Sequence, residues 1–126
     1  MRNKTNQAAA FRVAALLHED ILASSITLPM EILAGAAQAL GRGSQQSLRF
    51  QCFSDQGGSL TLQSGLTIVT ESLDALQDTD LLIIPAIWRQ PQRALQKHPS
   101  HIDVITQHLS HRGLTVSIGS GSFLLA

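Results

Sequence analysis

The sequence predicts an α/β domain whose mostly parallel sheet is covered by helices on both faces. The first observation is a set of short, almost continuously apolar segments, which are typical of strands buried on both faces. These segments are residues 11–17, 48–53, 81–84 and 114–118. The second observation is the helical spacing of apolar residues at 26–40 and 102–109, between successive strands. Strands that alternate with helices in this way form α/β sheets with parallel pairing.

The first predicted helix follows the strand at residues 11–17. Apolar residues spaced three and four apart give it one apolar face. They are Ile26, Met30, Leu33, Ala37 and Leu40. Pro29 is expected at the first helical position, where its missing N–H costs nothing, and Glu31 in the first turn, where the helix dipole favours a carboxylate. The glycines in residues 41–44 are expected to end the helix.

The remaining elements follow from turn residues and apolar runs. In order they are a strand at 48–53, a turn at 56–59, a hairpin of 60–62 and 66–69 around 63–65, a strand at 81–84, a short helix at 91–96, a helix at 101–111, a strand at 114–118 and a tight turn at 119–122. Pro85 ends the strand that precedes it, and Gly113 ends the last helix.

Charge and cysteine content exclude several classes of protein. Nine basic residues balance nine acidic ones, so the formal net charge is zero. Nucleic-acid binding needs clustered Lys and Arg, and we therefore do not expect this segment to bind DNA by itself. The single cysteine, Cys52, excludes an internal disulfide and is expected to be a buried, inert thiol. The apolar run near the start is short and is interrupted by charged residues, so it does not fit a signal peptide or a membrane span. We therefore expect a cytoplasmic protein.

Three stretches of the sequence resemble, in order and spacing, one known superfamily. They are residues 11–17 with 28–33, residues 57–58 with 64–69 and 80–85, and residues 116–126. Together they span nearly all of the chain and resemble the PfpI-type branch of the class I glutamine amidotransferase-like superfamily. More narrowly, they are similar to the N-terminal domain of those AraC-type transcriptional regulators that carry such a domain.

This resemblance implies a flavodoxin-like three-layer sandwich with a ligand site at the carboxyl ends of its strands, where open α/β sheets bind ligands. Residues 1–10 would be a flexible lead-in and residues 11–126 the sensor domain. In relatives, the chain continues past the position that corresponds to Ala126 and then adds a helix-turn-helix domain. We therefore expect the sensor domain to be incomplete here. The expected partners are a small-molecule effector, a second copy in a homodimer, and DNA reached through the absent domain.

The resemblance also implies site residues, and this sequence departs from them. In enzymatic relatives a cysteine stands on a strained strand-to-helix elbow, close to a carboxylate from the helix after the first strand. The cysteine position corresponds to Gly119 and the acidic position to Ser25. We therefore predict ligand binding without covalent catalysis and without a cofactor. The predicted ligand-binding residues are Ser25, Pro85, Ala86, Ile87, Trp88, Gly119, Ser120 and Gly121.

Two other functions stay open at this point. A hydrolase or amidase could use Ser120 in place of the cysteine with His18 as its base, although neither Ser120 nor Ser122 fits the G-x-S-x-G pattern. Alternatively, a purely structural dimerisation module would leave the pocket empty. Trp88 fits a lid over a ligand, a dimer anchor or a cover for the rim of the sheet.

A polar cluster follows the first strand. His18, Glu19 and Asp20 could line the pocket or hold an acid/base pair, or they could form a solvated loop in which Asp20 or Ser24 caps the helix. The solvated interpretation is favoured for Glu19, and both interpretations stand for His18.

Further along, the sequence contains two H-x-x-H pairs, His98 with His101 and His108 with His111. Such a pair can bind a metal ion when both histidines share a helical face. However, no cysteine or carboxylate near them in sequence completes a ligand set, and Pro99 with Ser100 is expected to break the helix of the first pair. The sequence therefore predicts a histidine-rich surface and no metal site.

Overall fold

The computed structural model describes residues 10–41, 47–76, 78–121 and 124. Its strands are β1 (Phe11–Leu16), β2 (Leu48–Ser54), β3 (Gly58–Thr61), β4 (Thr67–Ser72), β5 (Leu81–Ile84) and β6 (Leu114–Ser117). Within the described residues these strands form one sheet in the order β3-β4-β2-β1-β5-β6. Neighbouring strands are parallel except β3 and β4, which form the predicted antiparallel hairpin. The predicted α/β fold with a mostly parallel sheet is confirmed.

Helices cover both faces of this sheet. They are α1 (Ser24–Gly41), α2 (Pro91–Lys97) and α3 (Pro99–Ser110), with 3₁₀ turns at Leu73–Ala75 and Gly119–Gly121. Successive residues of β1 face opposite sides of the sheet. Val13 belongs to the apolar cluster of Ile26 from α1, whereas Ala14 belongs to the cluster of Ala94 from α2 and Ile105 from α3. The result is the three-layer sandwich that the sequence predicts.

The register of the parallel strands brings their carboxyl ends to one edge of the sheet. Leu16 lies beside Phe53 of β2, Ala15 beside Ile83 of β5, and Ser117 of β6 beside Ile84. β2 lies on one side of β1, whereas β5 and β6 lie on the other. Open α/β sheets bind ligands at such a switch point, beyond the carboxyl ends of the strands.

Helix α1 begins earlier than the sequence predicts. It starts at Ser24, so Pro29 lies inside the helix and Glu31 lies beyond the first turn, and the positions predicted for both residues are wrong. The N–H and the hydroxyl of Ser25 both donate to the Leu22 carbonyl and hold the turn that starts the helix. Pro29 costs α1 one backbone hydrogen bond, the one that its missing N–H would donate to Ser25.

The outer face of α1 is apolar and exposed. Ile26 is fully buried, but Leu40, expected on the same face, is 67% exposed. Leu28 and Ile32 are 57% and 62% exposed. The helix ends at Gly41, as predicted, and residues 42–44 lie outside the described residues.

Cys52 is buried in β2. The prediction of a buried cysteine is confirmed. Burial raises the pKa of its thiol to about 11, so the thiol is protonated at neutral pH. Within the described part of the chain, no helix is long and apolar enough to cross a membrane. Residues 1–9 of the predicted lead-in lie outside that part.

Candidate functional site

Hydrogen bonds join the loop after β5 to the segment between β1 and α1. The Ser25 hydroxyl accepts from the Ala86 N–H at 3.0 Å and donates to the Leu22 carbonyl at 2.7 Å. The Leu22 N–H donates to the Ala86 carbonyl at 2.8 Å, and the Trp88 N–H donates to the Asp20 carbonyl at 2.5 Å. Because Ser25 and Ala86 are buried, these bonds fix the loop firmly against the start of α1.

The segment after β6 forms the predicted tight turn. Gly119 has a left-handed backbone with φ of +52°, a conformation that favours glycine. Gly121 approaches β5 so closely that an added Cβ atom would lie 2.4 Å from the Pro85 carbonyl oxygen. The Ser120 hydroxyl accepts from the Ile87 N–H at 2.8 Å and donates to the Ile87 carbonyl at 2.9 Å. The turn is therefore fastened to the loop after β5.

The structure thus brings the predicted ligand-binding residues together, at the carboxyl ends of β5 and β6. The N–H groups of Ala86, Ile87 and Trp88 each donate to an acceptor within the protein. An anion could use these groups only by displacing those acceptors. The Trp88 side chain is 52% exposed, and Gly119 in the turn after β6 is also exposed.

Ser120 and His18 are not joined in this arrangement. His18 is buried, and its Nδ1 accepts from the Asp20 N–H at 3.2 Å. Both hydrogen bonds of the Ser120 hydroxyl go to Ile87, and none links it to a base in the described residues. A serine nucleophile needs a base to take its proton, so this geometry does not support the hydrolase hypothesis. Ser122, the other serine considered, lies outside the described residues.

Replacing Ser25 with alanine is expected to lower the free energy of unfolding by about 1–3 kcal/mol, because the buried Ala86 N–H would lose its acceptor. Urea denaturation followed by circular dichroism measures the change. Thr27→Ala is the matched control. The exposed Thr27 hydroxyl only donates to the Ala23 carbonyl at 3.3 Å, so a change within about 0.5 kcal/mol is expected. Equal losses in the two variants would contradict this role of Ser25.

A cluster of three buried histidines, which the sequence analysis did not find, lies at the same edge. His18, His98 and His101 are 2%, 7% and 0% exposed. The ring centroid of His98 lies 4.6 Å from that of His18 and 5.1 Å from that of His101. The expectation of a surface position is therefore wrong for His98 and His101. Pro99 does not break a helix but begins α3, so His98 precedes the helix and His101 lies in its first turn. His111 is exposed, as predicted.

Carboxylates flank His98 on both sides of its ring. Its Nδ1 lies 2.7 Å from Oδ2 of Asp55, and its Nε2 lies 3.3 Å from Oε1 of Glu19. Burial alone would raise the pKa of Asp55, but hydrogen bonds from Ser100 and His98 outweigh it and hold that pKa below its ordinary value. Glu19, expected to be solvated, is half-buried and also lies 3.0 Å from Nζ of Lys97.

The other two imidazoles are neutral at pH 7. Burial, together with a smaller effect of the neighbouring His98 and His101, lowers the pKa of His18 to about 4. Burial likewise lowers the pKa of His101 to about 4, although Asp55 opposes the change. Each ring therefore carries one proton and one lone pair under physiological conditions.

A cavity of about 500 Å³ lies away from both of these regions. It is lined by residues that precede β5 and β6 and by the last turns of α3, among them Asp78, Thr79, Gln107, His108 and Gly113. His108 is half-buried there, and its Nε2 donates to the Leu114 carbonyl at 2.8 Å. This cavity was not predicted from the sequence.

Comparison with known proteins identifies neighbours among solved structures. No protein-family model matches the chain, and neither does any curated protein. A protein from Vibrio parahaemolyticus described as a transcriptional regulator superposes with a TM-score of 0.78 and 24% identity, over 93% of this chain and 60% of that one. An AraC family transcriptional regulator from Pseudomonas putida superposes with a TM-score of 0.72 and 26% identity, over 91% of this chain and 59% of that one.

Neighbours also include proteins of the superfamily named from the sequence. A ThiJ/PfpI domain protein from Brachyspira murdochii superposes with a TM-score of 0.71 and 11% identity, over 94% of this chain and 64% of that one. The fold is therefore that of DJ-1/ThiJ/PfpI proteins, and the structural neighbours include AraC-family regulators, as the resemblance implied. The chain spans about three fifths of the length of the two regulators.

Proposed function

We propose that this chain is a non-catalytic ligand-sensing and dimerisation domain of an AraC-type transcriptional regulator. The regulator would contact DNA through a helix-turn-helix domain outside these 126 residues, since the zero net charge of this segment does not favour binding to phosphates. The superposition on an AraC family regulator over 91% of this chain supports the assignment.

One observation carries the non-catalytic part of the proposal. The turn at Gly119–Gly121 keeps an elbow backbone, with Gly119 in the left-handed region, but no nucleophilic side chain stands at Gly119. At the position that would hold a carboxylate, the Ser25 hydroxyl instead accepts from the Ala86 N–H. A site without the thiolate and its acidic partner lacks the nucleophile of the enzymatic relatives, and this supports ligand binding without cysteine-dependent catalysis.

The proposed effector is a small polar or anionic metabolite that contacts the Trp88 ring and the exposed backbone of Gly119. The loop that carries Trp88 is bonded to Ser25 at the start of α1 and to Ser120 in the elbow. An effector that displaces the Ser120 hydroxyl from Ile87 would therefore shift this loop relative to α1. Such a shift can regulate an attached domain only if the effector binds the two arrangements with different affinities.

Effector binding can be tested through Trp88, the single tryptophan of the chain. We expect one or more compounds from a panel of amino acids, carboxylates and amides to change the Trp88 emission saturably. The same compounds should raise the melting temperature over the same concentration range. Trp88→Phe is the control, which should lose the optical change and keep the thermal one. If no compound alters either signal, the sensor proposal fails and a structural module takes its place.

Dimerisation and the absence of catalysis need separate measurements. The exposed apolar side chains of Leu28, Ile32 and Leu40 on α1 support contact with a second copy. Light scattering should therefore give the mass of a dimer, and the mass of a monomer would contradict this part.

Hydrolysis of p-nitrophenyl acetate should be no faster with the protein than with Ser120→Ala. A rate that disappears in Ser120→Ala would instead establish the serine-dependent hydrolase.

A further inference from the structure

His101 is buried without the polar partners that a buried imidazole requires. The residue is 0% exposed, and within the part of the chain that the structure describes neither ring nitrogen has a hydrogen-bond partner. Its Nε2 lies 3.3 Å from Oδ1 of Asp55 but without the alignment of a hydrogen bond. Leaving buried polar atoms unsatisfied costs free energy, so a native protein usually pairs them with a protein group, a water molecule or a metal ion.

The atoms around His101 have the spacing of a metal-ligand set. One ligand atom from each of Asp55, His98 and His101 lies within 4.8 Å of the other two. Nδ1 of His98 lies 2.7 Å from one oxygen of Asp55, and Nε2 of His101 lies 3.3 Å from the other. Tetrahedral ligands with bonds of about 2.0 Å are separated by about 3.3 Å. Small side-chain rotations would therefore place these atoms around one ion.

The neighbouring groups are arranged as partners of such ligands. Metal-binding histidines usually donate their second ring N–H to a carboxylate, which fixes the tautomer and the ring orientation. Nε2 of His98 faces Glu19 at 3.3 Å and would make this bond when Nδ1 binds the ion. The Ser100 hydroxyl holds Asp55 at 2.5 Å. Lys97 brings a positive charge to this edge, but Glu19 balances it at 3.0 Å.

We propose that Asp55, His98 and His101 form a binding site for a divalent transition-metal ion, and specifically for Zn²⁺. Two imidazoles and one carboxylate are ligands that Zn²⁺ accepts, and three protein ligands leave a fourth position for water or a small ligand. The Asp55 side chain is 36% exposed and gives the ion a route from solvent. The proposal does not depend on the regulator assignment.

His18 lines this site but is not one of its ligands. Its Nδ1 accepts from the Asp20 N–H, so the proton of the neutral ring is on Nε2, which then has no lone pair for an ion. An alternative set of His18, Glu19 and His98 is also close enough together. It is disfavoured for this reason and because Lys97 already pairs with Glu19.

Titration of the purified protein with Zn²⁺ in a calorimeter tests the proposal, after removal of any histidine tag. We expect one ion per chain, and we expect Co²⁺ to give the intense visible absorption of a tetrahedral nitrogen and oxygen site. His101→Gln and Asp55→Asn should each weaken Zn²⁺ binding by at least tenfold. His111→Gln, on the exposed end of α3, should bind Zn²⁺ as the wild-type protein does.

Circular dichroism of each metal-free variant separates loss of the site from loss of the fold. If His101→Gln does not fold, Asp55→Asn decides, because Asp55 is partly exposed and its replacement disturbs no apolar packing. Absence of Zn²⁺ binding by the folded wild-type protein would overturn the proposal, as would unchanged affinity in folded His101→Gln or Asp55→Asn. A tenfold loss in His18→Gln without a loss in His101→Gln would assign the ion to the alternative set and overturn the ligands named here.

Discussion

Replacing Gly121 with alanine is expected to lower the free energy of unfolding by about 3 kcal/mol or more. An added Cβ atom would lie 2.4 Å from the Pro85 carbonyl oxygen and 2.5 Å from that of Ile84. Both are backbone atoms at the end of β5, where residues 82–84 are completely buried among the central strands. The clash can be relieved only by moving the elbow away from β5, which also breaks the bonds between Ser120 and Ile87.

Gly119→Ala is the matched control for this prediction. Gly119 has φ of +52°, so alanine there is strained, but the nearest atom to its Cβ would be that of Ala86 at 3.5 Å, an ordinary contact. The expected loss is about 1–2 kcal/mol, the cost of a left-handed conformation for a non-glycine residue. Guanidinium denaturation of the two variants compares these costs. If Gly121→Ala is no less stable than Gly119→Ala, the close approach of the elbow to β5 is not present in the protein.

The sheet could be predicted because its signals are local. β1 is an almost continuous apolar run and β5 a continuous one, and each is short and ends at polar residues or proline. This combination is typical of strands buried on both faces. The start of α1 was misplaced for a reason that is not local. Ser25 is tied both to Leu22 and to Ala86 of a distant loop, and these contacts extend the helix upstream of Pro29.

The elbow could be predicted as a backbone shape but not as a set of contacts. Glycines at positions 119 and 121 indicate a turn with an unusual backbone conformation or a close approach. Gly119 has the left-handed conformation, and Gly121 approaches β5 closely. The hydrogen bond between the Ser120 hydroxyl and Ile87 depends on how β6 lies beside β5. The spacing of residues in the sequence does not specify that placement. The sequence therefore identifies the residues of this site but not the hydrogen bonds that their polar groups make.

The histidine cluster was missed because its members are far apart in the chain. The signals were present: Asp55 follows the strand β2 directly, His18 follows β1, and an H-x-x-H pair opens α3. Carboxyl ends of adjacent parallel strands meet at one edge, so Asp55 and His18 could be expected at the same edge of the sheet. The error was to read Pro99 as a helix breaker, although proline is common in the first turn of a helix.

Lowering the pH from 6.5 to 4 is expected to destabilise the metal-free protein by several kcal/mol. In the unfolded chain a histidine gains its proton near pH 6.5, whereas in the folded protein the pKa values of His18 and His101 are about 4. Between these pH values the unfolded state binds more protons, so the free energy of unfolding falls as the pH falls. Each imidazole contributes a loss of about 3 kcal/mol at most, and the two losses are not additive because the rings repel each other.

Other titratable groups near the cluster do not reverse this direction. The pKa values of Asp55 and Glu19 are below the ordinary carboxyl value, so the stability that these carboxylates contribute is lost only below about pH 4. Lys97, beside Glu19, has a raised pKa and keeps its charge throughout the range. The loss between pH 6.5 and 4 therefore comes from the buried imidazoles.

His101→Leu separates this effect from general acid sensitivity. Leucine removes one titrating group and also the two unsatisfied nitrogens of His101, so stability at pH 7 should be unchanged or higher. Between pH 6.5 and 4, the free energy of unfolding of His101→Leu should fall less than that of the wild-type protein, by about 3 kcal/mol at most. His111→Gln, which removes an exposed histidine, should keep the wild-type profile. Urea denaturation at a series of pH values, with a chelator present, measures all three proteins. Equal pH dependence in His101→Leu and the wild-type protein would mean that His101 is not buried as a neutral imidazole.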